Sequence, residues 1–310
     1  MNETGLGVFY GMLAGALWGG IFLAPKLVPA GFTPLQLSTA RYLTYGVIAL
    51  ILIGPRIGRV AAQFGKAEWV ALLWLSVIGN LLYYLFISTA VQLSGVAFTS
   101  IIIGFLPVAV TIIGSRDHGA VSLKRLWPSL LFGAIGILGI SWQSLTKDGG
   151  NLDVSQLIGL AAAIAALASW TAFAVGNARW LARLHHVTAD EWNLMTGVVT
   201  GGLAVLLAIP AFAFGGSTHT QADWVQFMLV AMGLGFSASI LGNAFWNRMS
   251  RLLPLTMVGQ MILFETLFAL LYGYIWEQRG PTLIESVAIF SVVISVILCM
   301  QAHRPEKVHG

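Results

Sequence analysis

Leu253–Glu277 reads LPLTMVGQMILFETLFALLYGYIWE, a mostly apolar run of 25 residues with Pro254 near its start and one mid-run charge, Glu265. A run of 18 or more apolar residues is long enough to cross the hydrocarbon core as a helix. A carboxylate at that depth costs about 2.5–3.5 kcal/mol on insertion scales unless it faces protein or water. Glu265 is therefore a candidate coupling or structural carboxylate. A weaker double of the run lies at Ser94–Gly114, and the rest of the chain organises around these two copies.

Composition carries the reading outward. The 310 residues are 57% hydrophobic and 9% charged, against about 25% charged in an ordinary soluble domain. Ten spans are predicted, at 5–24, 33–54, 68–90, 95–114, 126–145, 155–178, 190–212, 223–246, 254–276 and 281–301, each close to the ~20 residues a crossing needs. Only Val91–Ser94 separate spans 3 and 4, which predicts a tight hairpin there. The single cysteine, Cys299, excludes a disulfide framework. The six histidines lie in loops or in the tail, and no nucleotide-binding, zinc-protease or nucleophile-elbow motif occurs. The sequence thus predicts no enzyme, no metal site and no cofactor.

The basic residues set the expected topology. Of the 16 Lys and Arg, twelve fall on one side of the predicted spans, three (Lys26, Lys147, Arg279) on the other, and Arg41 lies within span 2. Cytoplasmic loops carry the excess of Lys and Arg. Both termini are therefore expected in the cytoplasm of a multi-pass protein of the cell (inner) membrane. The +4 net charge reads as this bias rather than as nucleic-acid binding.

Five spans per half place the second half upside down relative to the first. Trp18 corresponds to Trp170, Thr33 to Thr188, and Gly95 and Gly114 to Pro254 and Gly273, while Pro128 and Pro281 each open the last span of a half. The expected division is 1-146 as the first five-helix repeat, 147-154 as the linker loop, 155-302 as the second repeat and 303-310 as a cytoplasmic tail. The fold class is an all-α membrane protein of ten transmembrane helices in two inverted five-helix repeats, an arrangement that places a binding site near the midplane between the halves.

Gly15-Ala-Leu-Trp-Gly19, Pro34 through Arg41, Ser94-Gly-Val-Ala97 leading to Pro107, and Gly133, Gly136 and Gly139 resemble the first half of the drug/metabolite transporter superfamily, EamA type. Trp170 with Arg179, and Leu253-Pro254 leading to Glu265, resemble the second. The resemblance implies ten spans and export of small metabolites such as amino acids, and the many aromatics bring its aromatic amino acid exporters to mind. The family often follows the span-9 glutamate with proline. Thr266 stands here instead, which leaves room for a straight span 9.

Candidate substrate-binding residues are Trp18, Asn80, Tyr83, Tyr84, Trp170, Asn243 and Gln260. Trp18 and Trp170 lie deep in their spans. Ser76, Asn80, Tyr83, Tyr84 and Ile87 share one face of an ideal helix in span 3, and Ser239, Asn243, Trp246 and Asn247 form a comparable face in span 8; the alternative for both is interhelical hydrogen bonding. Gln260 and Glu265 point about 140° apart on an unbroken helix. Arg41 would attract a carboxylate, snorkel outward, or pair with Glu265. Trp69, Trp127, Trp192, Trp224 and Trp276 read as an interfacial belt. Gly11, Gly15 and Gly19 recur every fourth residue and predict a smooth face for close helix approach, as do Gly133, Gly136 and Gly139. The expected function is a secondary exporter of amino acids with bulky or aromatic side chains, with the lipid bilayer and a small molecule as partners; the alternative is export of cationic drugs or nucleoside-type metabolites. A monomer is compatible with the sequence, which leaves the oligomeric state open.

Overall fold

The protein is seen in a computed structural model that describes residues 3–117, 120–145, 154–213 and 219–303. Among these residues every regular element is helical. The loop Lys147–Asp153, expected as the seam between halves, and the tail beyond residue 303 lie outside the described residues. Eight helices are long and apolar enough to cross a membrane: Glu3–Leu23, Pro34–Ala61, Lys66–Ser94, Val154–Arg183, Ala189–Ala213, Gln221–Leu252, Leu255–Glu277 and Leu283–Ala302. They are spans 1, 2, 3, 6, 7, 8, 9 and 10 of the expected ten. Leu106–Gly114 and Leu123–Leu145 stand where spans 4 and 5 were expected.

One boundary differs. The helix Tyr83–Ile103 runs through Val91–Ser94 without a loop, and the break falls at Gly104–Phe105. The reason is local: no proline occurs between Tyr83 and Pro107, and Pro107 takes an early position in the next helix, where its missing N–H is not needed. Ile102 nonetheless packs onto Ala90, Ala162 and Ala163.

Spans 2 and 7 begin alike. Thr33 and Thr188 accept the backbone N–H of Gln36 (3.2 Å) and Glu191 (3.1 Å), and the Gln36 and Glu191 side chains reach back to the threonine N–H groups. These are reciprocal caps that satisfy the free donors of a helix start. Packing carries the same internal likeness. Span 2 packs on span 7, span 5 on span 10, and span 4 on span 9; span 1 packs on spans 8 and 9 as span 6 packs on spans 3 and 4. Exchanging spans 1–5 with 6–10 maps this pattern onto itself.

Glycine sets the closest approaches. A Cβ on Gly15 would lie 2.6 Å from the Phe264 Cβ and 2.8 Å from the Glu265 nitrogen, so span 1 presses directly on the backbone of span 9. A Cβ on Gly46 would lie 2.6 Å from the Gly201 Cα, and one on Gly201 would lie 2.5 Å from the Gly46 Cα. Gly136 seats Val292 and Gly133 faces Ser295, where Ser129 and Ser295 each donate a hydroxyl to the other's carbonyl (2.8 and 2.6 Å). The Gly15, Gly133 and Gly136 contacts lie on the smooth glycine faces read from spacing; the Gly46–Gly201 contact is not among them.

Spans 3 and 8 share a further feature. Val77–Leu82 and Gly235–Gly242 are π-helical, each midway along its span. A π segment accommodates an extra residue and turns everything beyond it. Span 9 is interrupted as well: its helix ends at Met261 and restarts at Leu263, with Ile262 bonded three residues back to Gly259 at 3.4 Å. Ile262 keeps helical dihedrals (φ -59°, ψ -30°), so the ladder weakens one turn ahead of Thr266 while the backbone stays helical.

Where span 10 ends, the His303 ring is held by the Cys299 carbonyl (2.8 Å from Nδ1) and the Thr256 hydroxyl (2.7 Å from Nε2). Because a carbonyl only accepts, Nδ1 carries the proton and Nε2 accepts from Thr256. Burial, partly offset by the Cys299 bond, holds the imidazole below its ordinary range.

Two outcomes are expected of these contacts. Gly46→Ala forces a methyl into the Gly201 backbone, and overpacking of this kind costs about 1–3 kcal/mol; thermal unfolding in detergent should show the loss, and an unchanged midpoint would mean that spans 2 and 7 separate freely. For His303, a folded-state value below the unfolded one contributes stability above the unfolded value and loses it as pH falls. Stability should therefore decline as the pH drops below about 6.5, and His303→Gln should flatten that decline.

Candidate functional site

The π segments decide where the central side chains go. Widening a helix releases carbonyls from the regular ladder, and in apolar surroundings each needs another donor. Three carbonyls of these segments accept a side chain from a neighbouring span. Trp18 Nε1 donates to the Ala238 carbonyl at 2.9 Å, Asn193 Nδ2 to Ile240 at 3.0 Å, and Ser169 Oγ to Ile78 at 2.7 Å. Spans 1 and 7 are thereby bonded to the bulge of span 8, and span 6 to that of span 3.

Around the Trp18 bond lies an aromatic cluster. Trp18 stands 5.1 Å from Trp246 and 6.2 Å from Trp170 between ring centroids; Trp170 in turn stands 5.5 Å from Trp246, 6.0 Å from Phe173 and 6.5 Å from Tyr83. Spans 1, 3, 6 and 8 each contribute. Trp18 and Trp246 are buried, whereas Trp170 and Tyr83 are only half-buried. Trp246, read from sequence as part of the span-8 face, has an indole N–H with no partner among the described residues.

Two opposite charges border this cluster. Glu265 packs its backbone on Gly15 and Gly19, the glycines flanking Trp18 by three residues and one. The residue is half-buried, and its carboxylate makes no hydrogen bond or ion pair among the described residues. Arg41 donates from Nε to Ser239 Oγ at 2.9 Å and lies 5.4 Å from the Tyr42 ring centre. The charge of Arg41 acts on Glu265, and both charges act on Tyr83, yet the two do not close into a salt bridge. The pairing of Arg41 with Glu265 read as an alternative in the sequence is replaced by Arg41–Ser239.

The remaining candidates separate. Asn80 is half-buried, with a long contact of 3.4 Å to Thr200 Oγ1, and Asn243 is half-buried beside the Tyr45 hydroxyl. Tyr84 turns away: its hydroxyl donates to the Pro34 carbonyl at the start of span 2. The common face of Ser76, Asn80, Tyr83 and Tyr84 does not survive the inserted π turn. Gln260 is fully engaged between helices, 3.3 Å from Thr111 Oγ1 and 3.0 Å from Ser295 Oγ. Trp192 leaves the interfacial belt: it is wholly buried, with Nε1 donating to Asn177 Oδ1 at 2.9 Å while Asn177 donates to Asn247 at the same distance. Trp69, Trp127, Trp224 and Trp276 are exposed, as a belt requires.

Comparison with known proteins follows the same lines. Residues 5–142 match the EamA-like transporter family, and the chain is 32% identical over 314 residues to the inner membrane protein YtfF of Escherichia coli (strain K12), covering 97% of this chain and 96% of that one. The chain belongs to the EamA-like transporter family. This EamA-like chain is also 26% identical to the uncharacterized transporter YdeK of Bacillus subtilis (strain 168), over 98% of its own length and 99% of YdeK. A solved crystal structure superposes with a TM-score of 0.77 over 97% of this chain and 98% of that chain at 19% identity, a likeness of fold. The protein is accordingly a multi-pass membrane transporter of the drug/metabolite transporter superfamily.

The Trp18 bond gives a direct expectation. Trp18→Phe leaves the buried Ala238 carbonyl without its donor, at a cost of about 1–3 kcal/mol. Trp246→Phe removes an indole N–H that has no partner among the described residues and should lower the detergent melting temperature less. Equal losses would show that ring volume, not the hydrogen bond, holds span 1 to span 8.

Proposed function

We propose that this EamA-like transporter exports amino acids with bulky or aromatic side chains by alternating access of its two five-helix halves, 1-146 and 155-302, joined by 147-154 and followed by the tail 303-310. Both termini face the cytoplasm of the cell membrane, and transport proceeds without covalent chemistry. The observation that carries the reading is the pair Arg41 and Glu265, opposite in charge, unjoined, and beside the aromatic cluster. A zwitterion presents a carboxylate for the first and an ammonium for the second, and its side chain lies against Trp18, Trp170, Trp246 and Tyr83. Asn80 and Asn243 have hydrogen-bonding capacity to spare there. Gln260 and Tyr84 are committed to other helices and take no part in this reading.

A second reading rests on the same cluster. Aromatic faces attract cations, and with the Glu265 carboxylate beside them they suit an amphipathic organic cation. Counterflow in proteoliposomes with labelled phenylalanine, threonine and a nucleoside separates the two. Phenylalanine should exchange best. Arg41→Gln and Glu265→Gln should each reduce exchange by about tenfold or more, because a hydrogen bond to a charged group contributes about 1.5–3 kcal/mol. Absence of exchange with either amino acid would remove the amino-acid reading. Loss of cation export in Glu265→Gln with amino-acid counterflow intact would favour the second.

A further inference from the structure

Two exposed ion pairs cross between the halves. Lys26 Nζ, just past span 1, lies 2.9 Å from Glu277 Oε1 at the end of span 9; Arg179 Nη2, near the end of span 6, lies 2.5 Å from Asp117 Oδ1, just past span 4. Their positions correspond under the internal repeat. Lys26 stands eight residues after Trp18 and Arg179 nine after Trp170; Asp117 stands three residues after Gly114 and Glu277 four after Gly273. One bond is therefore the repeat-related image of the other.

The two bonds lie at opposite ends of the molecule. Spans 1 and 9 run side by side in the same direction, since Gly7 meets Leu253, Gly15 meets Phe264 and Gly19 meets Ala269. Span 4 runs against span 9, since Gly114 meets Leu255 and Thr256 whereas Pro107 meets Gly259. Asp117 therefore sits at the Leu255 end of span 9 and Glu277 at its other end, the 23 residues of that span away, or about 34 Å at 1.5 Å per residue. Each bond also has a helper. Gln226 Nε2 donates to the Leu27 carbonyl (2.8 Å) beside the first, and Arg59 reaches Glu191 (3.3 Å) across the halves among the basic loops of the other end.

We propose that Lys26–Glu277 and Arg179–Asp117 are the latches of the two gates, one on each membrane face, and that this structure, with both bonds formed, is closed to both sides. Alternating access by inverted halves opens one end while the other holds. Breaking either latch lowers the cost of opening its own end and leaves the opposite latch intact. Glu277 keeps Arg279 as a partner at 2.8 Å, so removing the Lys26 charge breaks the link between halves without stranding the carboxylate. The inference needs only that the chain is a transporter, not which molecule it carries.

The test is side-specific labelling of a cysteine placed at half-buried Asn80, with the native thiol removed by Cys299→Ala. A membrane-impermeant maleimide is applied to right-side-out and to inside-out vesicles. Lys26→Gln should raise the labelling rate from its own face by about 1.5- to fivefold, the range an exposed pair supports, without raising it from the other. Arg179→Gln should do the reverse, Asp117→Asn should reproduce Arg179→Gln, and Asp117→Arg with Arg179→Asp should restore the parent rates, which separates a lost latch from a damaged fold. The proposal is overturned if both single variants open the same face, if neither alters either rate, or if the exchanged pair fails to restore. High salt should move the parent in the direction of the variants.

Discussion

The constraint on which the centre of this molecule depends is that a carbonyl inside a membrane must have a donor. Two spans swell into π helix midway, and carbonyls of the widened turns are met by Trp18, Asn193 and Ser169 from other spans. Each donor spans a helix interface, so the bulges are also points of attachment. Trp18 shows how much hangs on one such bond. It fixes the orientation of an indole that then sets the spacing to Trp170 and Trp246, and it sits on the same helix whose Gly15 and Gly19 bring Glu265 to the cluster. The aromatic cluster is in this sense a by-product of hydrogen-bond satisfaction.

Charge follows a related economy. A carboxylate and a guanidinium in one apolar bundle would ordinarily be expected to pair. Here Arg41 is turned to Ser239 of the span-8 bulge, and Glu265 is left half-buried with its backbone pressed against Gly15 and Gly19. Keeping the two apart costs solvation but leaves both able to respond to a charged ligand. Their separation is enforced by the helices that carry them, spans 2 and 9, which have different neighbours: span 2 lies on span 7, span 9 on spans 1 and 4.

Much of this was readable from residue order. Glycine spacing in spans 1 and 5 identified real contact faces, Thr33 and Thr188 marked equivalent helix starts, and the depth of Trp18 and Trp170 placed both in the cluster. Position along the chain and side-chain size carried those readings. What failed depended on helical phase. Ser76, Asn80, Tyr83 and Tyr84 share a face only if 3.6 residues make a turn throughout, and the inserted π turn sends Tyr84 to Pro34. Nothing in VIGNLL or GFSASILG announces that turn. Trp192 looked interfacial because it stands near a span end, but Asn177 and Asn247 supply a polar partner deep enough to bury it. Gln260 looked available because its partners, Thr111 and Ser295, come from spans 4 and 10, far away in sequence.

The contact of Gly46 with Gly201 has a consequence for how such a chain can change over generations. The two residues stand at the same interval as Thr33 and Thr188, so each is the counterpart of the other in the repeat. In a chain whose halves were once identical copies, this would have been one codon meeting itself. After fusion the two codons drift separately, but neither gains freedom by it. Any replacement at either site adds a side chain, and its partner has no smaller residue to become. Most packing faults can be relieved by a second mutation across the interface; this one has no suppressor there, so it must be reversed or accommodated by moving whole helices.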